Sequence, residues 1–129
     1  MSIAAAITQH AESVIAAERA ARTRLADKLN GTETLTGRHF GEVMAAAANA
    51  AAWKELLTLA ERKGSMRKAV ELRRRQATRV LIEHRDSQST SALTNEGERL
   101  EREGLRSFLS YTEYTVEDLD KEAATAARP

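Results

Sequence analysis

The sequence predicts an all-α protein, an antiparallel helical bundle of three long helices plus one or two short C-terminal helices. Three observations carry this expectation. Alanine is the commonest residue, at 24 positions, against one proline and five aromatic residues, a composition that favours helix over sheet. Apolar side chains recur at three- and four-residue spacing over long stretches. Those stretches are separated by glycine or by short polar segments, and long helices joined by short links run antiparallel to their neighbours. With 129 residues the chain has the size of a single domain, 1–129, built around one modest core.

The elements follow in order. Ser2 caps a first helix over 2–30, in which Ile3, Ile7, Ala11, Val14, Leu25 and Leu29 share a face before Asn30-Gly31 ends it. A second helix, 38–63, carries Phe40, Val43, Met44, Ala47 and Ala51 into Trp53, Leu56, Leu57 and Ala60. Gly64 stops it, because glycine tolerates the left-handed conformation that closes a helix. Ser65 caps the third, 65–86, with Met66, Ala69, Val70, Ala77, Val80 and Leu81 facing inward. The Ser- and Thr-rich segment 86–92 reads as the longest loop. Thr94 or Asn95 caps a fourth helix, 94–110, uniting Leu100, Leu105, Phe108 and Leu109. Gly97 and Gly104 each cost it roughly 1 kcal/mol relative to alanine, so it is expected to be the least stable. Thr115, with Asp118 three positions later, resembles a capping box and opens a short fifth helix, 115–126, with a frayed end.

The net charge is +1, but its distribution is uneven. Residues 1–61 hold six basic and seven acidic groups, 62–85 hold nine and two, and 86–129 hold five and ten. On the third helix, at about 100° per residue, Arg67, Lys68, Arg74, Arg75, Arg79 and Arg85 fall on one outward arc, broken by Glu71 and with Ile82 among the cations. Such a face suits an acidic protein partner, or phosphates of a nucleic acid. A third reading folds the acidic C-terminal residues, Glu96, Glu98, Glu101, Glu103, Glu117, Asp118 and Asp120, back over it. Arg73 falls on the inner face, where an unpaired guanidinium is severely unfavourable, so it is expected to snorkel out or to meet a carboxylate, with the partner on another helix or chain.

From Met44 to Trp53 the second helix presents methyl groups on nearly every side. Backbones can approach closely there, either at an internal helix crossing or in a seam with a partner or second copy. Ala47, Asn49, Ala51 and Trp53 are the residues of such a seam, with Asn49 able to fix register and Trp53 expected in the core.

Catalytic and metal chemistry find little support. The absence of cysteine excludes disulfides, thiolate metal sites and cysteine nucleophiles. His10, His39 and His84 are widely separated and read as surface or helix-end residues, so neither a metal nor another cofactor is expected. Glu117, Asp118 and Asp120 diverge around a helix start and read as solvated acids favoured by the dipole. Ser87–Ser91 lacks a nearby base, and Tyr111 and Tyr114 straddle the link before the last helix. The first seventeen residues lack a basic leader and no run approaches the ~18 apolar residues of a membrane span. A soluble cytoplasmic chain is therefore expected, and the arginine-rich, isoleucine-poor composition suggests a bacterial or phage source. The reading is a non-enzymatic, self-associating helical interaction module with a protein partner, and its alternative is a nucleic-acid-binding protein using the basic third helix.

Overall fold

The computed structural model describes residues 2–31, 37–85 and 92–127. Among these residues every element is helical: α1 (Ile3–Leu29), α2 (Gly37–Lys63), α3 (Met66–Arg85), α4 (Ala92–Tyr111) and α5 (Thr115–Ala126). Helix α4 has 20 residues, as many as α3, which corrects the expected three long helices followed by short ones. The reason is local. Ala92 and Leu93 are good helix formers, so the helix starts upstream of Thr94 and Asn95, which lie in its first turn instead of capping it. Most of the segment expected as the longest loop, 86–91, lies outside the described residues.

Among the described residues, the starts of α1 and α3 carry side-chain caps and the start of α5 does not. The Ser2 hydroxyl accepts from the Ala5 N–H at 3.1 Å, and the Ser65 hydroxyl accepts from the Lys68 N–H at 3.2 Å, each satisfying a donor that the first helical turn leaves free. Gly64 has φ +65°, so α2 closes in the left-handed region that a side chain would strain. At α5 the expected capping box is absent. The N-cap position is Tyr114, which makes no side-chain cap bond. The turn out of α4 uses backbone carbonyls instead: the Thr115 N–H donates to Thr112 O at 3.1 Å and the Asp118 N–H to Tyr114 O at 3.0 Å. That leaves the Thr115 side chain free to pack inward, where it is buried.

Helix α2 is the centre of the packing and contacts α1, α3 and α4, while α5 lies against α3 and reaches α1. Its buried face, Ala52, Trp53, Leu56 and Leu59, meets Ile7 and Ala11 of α1, Ala69, Val70 and Ala77 of α3, and Leu105 and Phe108 of α4. Trp53, Phe108, Leu56 and Val70 are the largest fully buried apolar side chains, and each contributes about 1.5–3 kcal/mol by leaving water. Because so few large side chains are available, close backbone approach supplies part of the packing. A Cβ at Gly104 would lie 2.6 Å from Ala48 O and 3.2 Å from Asn49 Cα, so α4 sits almost on the α2 backbone at the Ala-rich segment. Gly104 therefore has a packing role that offsets its helix-propensity cost.

Polar contacts tie the ends together. The Ile3 N–H of α1 donates to Glu122 Oε2 of α5 at 2.9 Å, across 119 positions of sequence. Glu18 of α1 is buried, with its carboxylate 3.1 Å from Lys54 Nζ of α2 and 3.2 Å from Arg22 Nε. Burial alone raises a carboxyl pKa; here the bonds and charges of Lys54 and Arg22 outweigh it and hold Glu18 below its ordinary value.

Candidate partner-binding surface

The amphipathic pattern of α3 turns Ala69, Val70 and Ala77 into the core and leaves most of its cations outside. Arg67, Lys68, Arg75 and Arg79 are exposed. Arg67 donates from Nη1 to Glu71 at 2.7 Å and from Nε to Asp120 of α5 at 2.8 Å. The Asp120 bond is the main influence raising its pKa. Arg75 pairs with Glu71 one turn back. Lys68 and Arg79 have no ion-pair partner among the described residues. Arg85 ends α3, and its side chain lies outside the described residues, as do those of His39 and His84.

Arg74 departs from the expected outward arc. It is half-buried, and its Nη1 donates at 2.7 Å to both Leu109 O and Thr112 Oγ1, at the C-terminal end of α4. The last carbonyls of a helix lack intrahelical donors, so a guanidinium arriving from the side satisfies them and complements the dipole. Arg74 is a structural cation for that reason. Arg73 does point inward, but its hydrogen-bond partners are not the expected carboxylate: Nε donates to Ala52 O of α2 at 3.3 Å and Nη1 to Gln76 Oε1 of its own helix at 3.2 Å, neutral acceptors that lie within reach of the half-buried guanidinium. Burial lowers its pKa, while Glu55 and Glu101 act in the opposite direction. An arginine so shifted keeps its charge.

The acidic C-terminal residues do not blanket the basic face. Glu96 and Glu103 pair with Arg99 of their own helix, Glu98 lies 4.0 Å from Arg102, and among the described residues only Asp120 reaches across to pair with a cation of α3, Arg67. Between α3 and the start of α5 runs a groove of about 710 Å³, lined by Arg74, Arg75, Thr78, Arg79, Ile82 and Val116 together with two carboxylates, Glu71, which pairs with Arg67 and Arg75, and Glu83. Ile82 is 61% exposed there, an apolar side chain set among three arginines and two glutamates.

The Ala-rich seam is divided. Its Ala48–Asn49 edge is taken by α4 at Gly104, an internal crossing. Trp53 is buried in the core, Ala47 and Asn49 are half-buried, and Ala51 is exposed. Ala47 and Ala51 continue an outer stripe with Phe40 and Met44, which are 47% and 39% exposed. Phe40 was expected on the apolar inner face of α2 and lies outside it. The Asn49 Oδ1 is enclosed and has no hydrogen bond among the described residues, a deficit of roughly 1–3 kcal/mol.

Sequence reasoning missed a further constellation. His10, expected at the surface, stacks on Tyr111 with ring centroids 3.8 Å apart and meets the Trp53 edge at 4.7 Å. Burial lowers the pKa of this histidine. The pair bridges α1 to α4 over a groove of about 580 Å³ that Asn49, Trp53, Arg106, Ser107 and Ser110 also line. Its residues come from three helices at unrelated spacings, so no local pattern announces them.

Among the described residues no group of three or more acidic or histidine side chains is arranged to hold a metal ion, and no helix is long and apolar enough to cross a membrane. Compared with protein-family models, with curated proteins and with solved structures, the chain matches none.

Proposed function

We propose that residues 1–129 form a single domain, an antiparallel helical bundle, which binds a protein partner through the outward face of α3 and performs no catalysis. The partner in this reading presents an acidic amphipathic helix. The observation that carries it is the α3–α5 groove, where exposed Ile82 lies beside Arg75 and Arg79, the latter without an ion-pair partner among the described residues, and where the cations outnumber the two lining carboxylates, Glu71 and Glu83. An apolar side chain flanked by cations matches a helix with an apolar stripe and carboxylates beside it, whereas a phosphate-binding face gains nothing from an isoleucine. The chain supplies an internal example of such a ligand. Helix α5 packs Val116 and Leu119 against the core and sets Asp120 on Arg67 of α3. Self-association belongs to the same reading, through the outer α2 stripe of Phe40, Met44, Ala47 and Ala51.

The test is fluorescence anisotropy with two probes over a salt series: a labelled acidic amphipathic peptide, and mixed-sequence duplex DNA with its RNA counterpart. Saturable peptide binding that Arg79→Glu and Ile82→Glu each abolish supports the reading. Nucleic-acid binding that falls steeply with salt, without peptide binding, replaces it by the phosphate-binding alternative. Binding of neither probe at low salt removes both.

A further inference from the structure

We propose that the groove between α1 and α4 is a separate binding site for a small aromatic carboxylate. Its volume, about 580 Å³, falls in the range of small-molecule sites. Its walls divide by chemistry. The Tyr111 ring, 47% exposed and backed by His10, offers a ring surface that accepts a flat apolar body, while buried Trp53 closes the floor beneath it. On the α4 side the same groove presents Arg106, Ser107 and Ser110.

These polar groups are uncommitted. Arg106 is exposed and has no ion-pair partner among the described residues, although Arg99 and Arg102 on the same helix both pair with glutamates. The two serine hydroxyls likewise make no hydrogen bond within the described protein. The contrast with the threonines is direct: the hydroxyls of Thr8, Thr23, Thr58, Thr78 and Thr112 all turn back to the carbonyl four residues earlier. A guanidinium and two hydroxyls lining one groove form a donor set suited to a carboxylate, and the single positive charge matches one carboxylate better than a doubly charged phosphate. The site lies on α1, α2 and α4, so it is independent of the α3 groove and of the partner proposed for it.

The single tryptophan of the chain provides the reporter, because one indole N–H gives one resonance in a nitrogen-15 correlation spectrum. The full-length protein is titrated with 4-hydroxybenzoate and, separately, with its neutral isostere 4-hydroxybenzamide, each to about 10 mM, where even millimolar affinities register. Saturable displacement of the Trp53 signal by the carboxylate is expected, with affinity for the amide about tenfold weaker or lower. Arg106→Gln, at an exposed position that leaves the helical circular dichroism unchanged, brings the carboxylate down to the amide's level, and Ser107→Ala with Ser110→Ala weakens it further. No displacement by the carboxylate, equal affinity for carboxylate and amide, or undiminished binding by a folded Arg106→Gln variant each overturns the proposal.

Discussion

Replacing Gly104 with alanine sets helix propensity against packing. In an unobstructed helix the change gains about 1 kcal/mol. Here the new methyl carbon would stand 2.6 Å from Ala48 O, 3.0 Å from Ala48 C and 3.2 Å from Asn49 Cα. All three are backbone atoms of a neighbouring helix, so relief requires α4 to move away from α2, loosening Phe108 against Trp53, whose rings lie 5.0 Å apart. Overpacking of this kind typically costs about 1–3 kcal/mol, and a clash with rigid backbone belongs at or above the top of that range. The expected net loss is about 2 kcal/mol, a fall in Tm of about 5–10 °C for a domain of this size. Gly97 supplies the control on the same helix, since nothing lies within 4 Å of its added methyl. Gly97→Ala should therefore stabilise by up to about 1 kcal/mol. Urea titration followed by helical circular dichroism measures both variants. A Gly104→Ala protein as stable as the unmodified chain, or more so, would refute the close α2–α4 crossing.

Other perturbations separate structural from surface charge. Arg74→Ala, which removes two bonds to the end of α4, should lose about 2 kcal/mol, whereas exposed Arg79→Ala should stay within about 0.5 kcal/mol; denaturation midpoints decide. Arg73→Met should fold, with stability within about 1 kcal/mol, because it removes a half-buried charge held by a backbone carbonyl and a glutamine; a variant that fails to fold contradicts this. Glu18 gives a pH signature. Its folded pKa lies below the ordinary 4.5, so its pairing stabilises fully above that value and is lost as pH falls through the lower folded pKa. Glu18→Gln should flatten the stability profile below about pH 4.5 and cost about 1 kcal/mol near neutrality; an unchanged acid limb counts against the pair.

The helical class was legible because composition and period both report local preference. Ile7, Ala11, Val70, Ala77 and Phe108 fall on the faces that their spacing assigns and are buried there. The inward position of Arg73 was legible for the same reason, but its acceptors were not: a carbonyl of α2 and the Gln76 amide stand where a carboxylate was expected. Arg74 was not: at its angle on α3 a side chain turns either to water or to the neighbouring helix end, and only tertiary placement decides. Gly104 misled because propensity charges a glycine to its own helix, while its benefit appears on the opposing one. Thr115 resembled a cap because the sequence does not reveal that carbonyls in the preceding turn already accept the available N–H groups. The His10–Tyr111 groove joins residues about a hundred positions apart, beyond the reach of any periodicity.

The bond from Ile3 to Glu122 gives the molecule a nearly circular backbone path. With the two extremities of the described chain drawn to one place, a glycine-serine bridge of about six residues from Ala127 to Ser2 should suffice to make the polypeptide continuous. Fresh termini could then be opened at the Gly64–Ser65 turn between α2 and α3, and a permuted gene of this form would encode the same helix partnerships in a different order.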